Sequence, residues 1–198
     1  MTTVALLRRG VLLERVTLAW NVVGIVVLAF AALAARSVAL AGFGLDSLVE
    51  IGASTVVLWE LAEVDGRRRR SAFRLIGACF ALLSAYIAVQ SAVVLATRHH
   101  AGHSALGIGW TAITAVVMFT LATGKRRTGT ELGNEVLVTE GRVTFVDGLL
   151  ATAVLAGLAL NAAFGLWWAD PAAGLVIVGY GVREAHAILG PHGVGRDG

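Results

Sequence analysis

Six runs of apolar residues, each long enough to cross a lipid bilayer, limit what this 198-residue chain can fold into. A helix rising 1.5 Å per residue needs about 20 residues to traverse about 30 Å of hydrocarbon. The runs fall near residues 14–35, 38–62, 73–97, 104–124, 139–165 and 170–189. Inside lipid every backbone N–H and C=O must be satisfied within the protein, which leaves only helices or closed barrels. Ala and Leu dominate the runs and period-two alternation is absent, so they read as helices. At 57% hydrophobic and 15% charged, with a mean hydropathy of +0.79, the chain lies outside the usual range for soluble domains. Twenty-four glycines suit helices that pack closely in a membrane. The expected fold is an all-α membrane protein, a six-transmembrane-helix bundle. It comprises a lead-in over residues 1–13, a transmembrane domain over 14–189 and a short tail over 190–198.

Arg8 and Arg9 precede an apolar stretch, as in a signal peptide. Glu14 and Arg15 interrupt that pattern, and the following run is long enough to span, so the segment reads as a retained cytoplasmic lead-in. The single cysteine, Cys79, sits in an apolar run; it rules out a disulfide framework or a Cys-based metal site and reads as packing.

Positive charge sets the orientation. One side carries Arg8, Arg9 and Arg15, then Arg67–Arg70 and Arg74, then Lys125, Arg126, Arg127 and Arg142, and finally Arg183 and Arg196. The other side carries only Arg36 and Arg98. Both termini are therefore expected in the cytoplasm. The four arginines at 67–70 read as a topology signal that meets anionic headgroups, not as a nucleic-acid site. Trp110, Trp167 and Trp168 read as anchors at the outer interface.

Against this background GFGLDSLVEIGAS, residues 42–54, is anomalous. Asp46 and Glu50 lie well inside the second run, where one ionised side chain costs about 2.5–3.5 kcal/mol on insertion scales. Their i, i+4 spacing places both on one helix face with Cβ atoms roughly 5–6 Å apart. Two like charges so close require a cation or a proton between them. The fifth run supplies a further acid, Asp147, with Thr144 and Glu140 at i−3 and i−7 on about the same face. Three carboxylates on two helices suggest an all-oxygen site for a divalent metal of the Zn, Fe, Co or Mn class. Asp46, Glu50 and Asp147 are the principal candidate ligands, with Glu140, Thr144 and Asn21 as lesser contributors. No Lys or Arg is expected at similar depth. Glu14, Glu60, Glu63, Asp65, Asp170 and Glu184 lie near run ends and read as solvated or helix-terminal.

The run DSLVEIGAS resembles the second transmembrane helix of the cation diffusion facilitator family, and in particular bacterial zinc and iron efflux members. Asn21 in AWNVVGIVVL, SVAL at 37–40 and WWADPAAGLVIVGYGVREA at 167–185 resemble polar, opening and sixth-helix segments of the same family. The resemblance implies a secondary transporter of the bacterial inner membrane, a multi-pass protein of the lipid bilayer. Such a protein exports divalent metal cations in exchange for protons by alternating access. Metal and protons would compete for the same carboxylates. Two departures stand out. Glu50 replaces the family's second Asp, and matching Asp147 to the final Asp of the fifth-helix motif leaves Val143 where the other ligand belongs. The chain also ends at GPHGVGRDG without the family's cytoplasmic domain, so any homodimer is expected to form through transmembrane helices.

The alternative is a non-transporting metal-binding membrane protein, or a regulatory partner of a full-length transporter. Catalytic and nucleotide-binding motifs are missing: the Gly-x-Gly at 42–44 follows no strand and precedes no Gly-Lys-Ser/Thr, so neither an enzyme nor a resident cofactor is expected. His99, His100 and His103 in RHHAGHS read as incidental, or as a collecting point for metal at the exit.

Overall fold

The computed structural model describes residues 2–35, 38–62, 69–98 and 104–190. Among the described residues there is no strand, and six helices follow in order: α1 (Thr3–Ala35), α2 (Val38–Leu61), α3 (Arg69–Thr97), α4 (Ala105–Leu132), α5 (Glu135–Phe164) and α6 (Ala169–Leu189). This is the expected all-helical bundle. Of the six, α1, α3, α4 and α5 are long and apolar enough over their described residues to cross a membrane, by length and composition. Arg36, Glu63, Asp65, Arg67, Arg68, His99, His100, His103, Arg196 and the tail from 191 onward, all singled out in the sequence, lie outside the described residues. The side chains of Glu60, Arg69, Arg70, Asp170 and Glu184 do so as well.

Several helices run past the apolar segments that announced them. The first begins at Thr3 instead of near residue 14, so most of the expected lead-in is helical. The fourth continues to Leu132 instead of ending near 124, and the fifth starts at Glu135 instead of 139. Backbone hydrogen bonding does not stop where charge begins; the ends are set by caps. Ser104 accepts from the Gly107 N–H at the start of α4. Gly133 closes it in the left-handed conformation (φ 64°), which a residue without Cβ adopts freely. Asn134 then caps α5 through its Oδ1, which accepts from the Leu137 N–H at 2.9 Å. Helices α4 and α5 are thereby joined by two residues in a tight antiparallel hairpin.

The bundle is inverted relative to a soluble protein. Large apolar side chains such as Phe30 (67% exposed), Leu33 (78%) and Val116 (68%) face outward. The buried stripe of α1 runs Gly10, Glu14, Thr17, Asn21, Gly24, Leu28 and Ala31, and that of α4 runs Gly107, Thr111, Thr114, Met118, Leu121, Lys125 and Thr128. Small and polar residues at i, i+3, i+4, i+7 spacing thus face inward, the pattern of helices that meet through close approach while lipid covers the oily side. Packing is most extensive between α4 and α5, α3 and α6, and α1 and α2. Helix α2 also touches α3 and α5, which sets its acidic face inside the bundle.

Trp110, expected as an interfacial anchor, is partly buried. It stacks on Trp20 with ring centroids 4.8 Å apart and planes 10° from parallel, tying α4 to α1. The Trp20 indole N–H donates to Thr114 Oγ1 at 3.2 Å. Trp168 is half exposed, as an anchor requires. Cys79 packs against the apolar core.

Candidate functional site

Asp46, Glu50 and Asp147 are all buried, with relative exposures of 2%, 2% and 3%. The two helices that bear them run in opposite directions, so each step down α2 faces a step back along α5. Asp46 meets Asp147 within hydrogen-bonding reach. Two carboxyl groups tolerate that proximity only with a proton or a cation between them. Asp46 Oδ2 and Asp147 Oδ2 have no hydrogen-bond partner, and neither has the Tyr86 hydroxyl, which stands within electrostatic range of Asp46. Buried polar atoms of this kind mark a place for a ligand or water.

One turn further along α2, Glu50 is hydrogen-bonded by Thr144 and lies within electrostatic range of Asp46 and Asp147. The Thr144 hydroxyl lies 2.7 Å from Glu50 Oε1 and 3.1 Å from Glu140 Oε1. Val143, standing where the family pattern has a ligand, is 1% exposed and packs in the apolar core. Its neighbour Thr144 makes the polar contacts at this level. Asn21 donates to Thr17 O of its own helix at 3.0 Å.

A second charged layer corrects two expectations. The sequence reads Lys125 as part of a cytoplasmic basic cluster and Glu14 as a solvated run end, yet both side chains are completely buried. Lys125 Nζ lies 3.1 Å from Glu14 Oε2 and 2.5 Å from Glu140 Oε1, and it donates to Thr144 Oγ1 at 3.0 Å. Ser54 of α2 adds a 3.3 Å bond to Glu140 Oε1. Glu140, a lesser candidate for metal, is therefore engaged by an ammonium. An inward Lys is at odds with the expectation that no cation lies near the acids. The adjacent Arg126 and Arg127 are exposed, because successive residues point about 100° apart around a helix, so Lys125 alone turns inward.

Among the described residues, then, five buried carboxyls share one buried ammonium. Glu14, Lys125, Glu140, Thr144 and Glu50 form one connected polar network across α1, α4, α5 and α2, and the Asp46–Asp147 pair adjoins it. No three His, Cys, Asp or Glu side chains among the described residues stand close enough together to hold a metal ion in this arrangement.

The profile of the cation efflux transmembrane domain family matches residues 68–189, more than half of the chain. The chain belongs to that family. The match runs from α3 through α6 and so includes Lys125, Glu140, Thr144 and Asp147 of this cation efflux domain. Asp46 and Glu50 on α2 precede it, and their place in the site rests on the geometry above. A search of curated proteins found no significant match. Membership, together with several helices apolar enough to span, makes the protein an integral multi-pass membrane protein of cation efflux type.

Proposed function

We propose that this cation efflux protein exports divalent metal cations of the Zn, Fe, Co or Mn class from the cytoplasm of a bacterial cell in exchange for protons. Asp46 and Asp147 hold the ion, and Glu50 joins them as the third carboxylate. The observation that carries this reading is the Asp46–Asp147 pair: two carboxyls on adjoining helices, out of water, each with an oxygen that nothing in the protein satisfies. Oxygen-only ligation suits hard and borderline divalent ions. Because carboxylates bind metal deprotonated, taking up the ion displaces protons and taking up protons expels the ion. The two cargoes then travel in opposite directions through one site, as secondary exchange requires.

The test is flux. Proteoliposomes loaded with a metal-sensitive dye should fill with Zn²⁺ or Co²⁺ when they carry the wild-type protein, and should stay dark with Asp46→Ala. Equal fluxes would remove the proposal. A second reading, a membrane protein that binds metal without moving it, draws on the arrangement of the acids, of which no three converge here. Saturable metal binding in detergent with no flux in vesicles would select it.

A further inference from the structure

Thr144 stands at the junction between the Asp46–Asp147 pair and the Lys125 network, and its chemistry is restrictive. A threonine hydroxyl has one hydrogen to donate and lone pairs to accept with. Two carboxylate oxygens compete for that hydrogen, Glu50 Oε1 at 2.7 Å and Glu140 Oε1 at 3.1 Å. Lys125, at 3.0 Å, donates to the hydroxyl oxygen and so leaves its hydrogen for a carboxylate. Glu140 Oε1 already receives Lys125 Nζ and Ser54 Oγ. Glu50 has neither of those bonds, and the shorter distance shows where the hydrogen goes.

We propose that Thr144 and Lys125 are positioning residues that hold Glu50 away from the Asp46–Asp147 pair in the cation-free protein, and that breaking the Thr144–Glu50 bond frees Glu50 to become the third carboxylate on a divalent ion. The Thr144 hydroxyl then donates its hydrogen bond to Glu140, which stands beside it on the same helix with Lys125 and Ser54 already in place. This inference rests on the cation-site reading above and adds a device to it: the site is incomplete until one hydrogen bond changes partner. Apparent affinity is then lowered by the fraction of molecules in which Glu50 is held back.

The experiment is Co²⁺ titration of the full chain in detergent, followed by calorimetry and by the visible absorption of the bound ion. The proteins are wild type, Thr144→Val, Thr144→Ser and the double variant Thr144→Val with Glu50→Gln. Thr144→Val should bind Co²⁺ at least fivefold more tightly, Thr144→Ser should restore wild-type affinity, and Glu50→Gln should erase the gain. Unchanged or weaker binding by folded Thr144→Val, or a gain that survives Glu50→Gln, would overturn the inference while leaving the cation site intact. Should Thr144→Val fail to fold, infrared difference spectra of wild type decide. Co²⁺ should shift a glutamate carboxylate band that Glu50→Gln lacks, and a spectrum without that shift sinks the idea. Absence of Co²⁺ binding by wild type would instead defeat the cation-site reading itself.

Discussion

Lys125 Nζ lies 3.1 Å from Glu14 Oε2, an ion pair between α4 and α1 with neither side chain exposed to solvent. Taking two such charges out of water is expensive, and attraction repays it only with good geometry and further hydrogen bonds, which Glu140 and Thr144 provide. Removing one partner strands the rest. Lys125→Met should therefore destabilise the bundle by roughly 3–5 kcal/mol, read as a lower thermal midpoint in detergent. Glu14→Gln, which removes one carboxylate and leaves Glu140 with the ammonium, should cost clearly less.

Asp147→Asn keeps the size of the side chain and removes its charge. Divalent-ion affinity should fall at least tenfold, about 1.4 kcal/mol, with the melting temperature near that of wild type. Asp46→Asn should match it, because the two carboxyls face each other across α2 and α5. Calorimetry on both variants checks the pairing; a loss confined to one would break it.

Metal binding should release protons. Carboxylates must be deprotonated to coordinate, so affinity should fall as the pH is lowered and recover as it is raised. Titrations in buffers of different ionisation enthalpy give the number of protons displaced. A heat that does not change with buffer would argue against exchange.

Packing between α4 and α5 should be intolerant of bulk. A Cβ at Gly141 would stand 2.8 Å from Arg126 Cγ and 3.1 Å from the Arg126 backbone N. Gly141→Ala should destabilise by about 1–3 kcal/mol, and because Glu140 precedes it the Lys125 pairing should loosen as well. At Gly52 a Cβ meets nothing within 4 Å, so Gly52→Ala should be neutral or mildly stabilising. Thermal melts of the two variants side by side test the contrast.

Much of the candidate site is legible in the sequence because carboxylates are conspicuous in oil. Asp46, Glu50 and Asp147 stand out by their depth in two apolar runs, and on α2 and α5 all three side chains are buried. Lys125 and Glu14 were hidden by their neighbours. Beside Arg126 and Arg127, Lys125 reads as one more cytoplasmic charge, and Glu14 beside Arg15 reads as the edge of a run. A signal was present all the same: both lie on inward stripes of small and polar residues, Gly10-Glu14-Thr17-Asn21 in α1 and Thr114-Met118-Leu121-Lys125 in α4. Hydropathy averages over all sides of a helix and ends a span where charge begins, whereas helical phase separates a buried lysine from the exposed arginines next to it. Capping explains the remaining error in the bounds, since Gly133 and Asn134, and not the first charged residue, stop α4 and start α5.

The two-residue joint at Gly133 and Asn134 has a mechanical corollary. With so short a tether and contact along much of their length, α4 and α5 cannot slide far past each other, so the ammonium of Lys125 is yoked to the carboxyl of Asp147. Any tilting of the hairpin therefore moves Lys125 and Glu140 together, as one ion pair, with Asp147 riding on the same helix as Glu140.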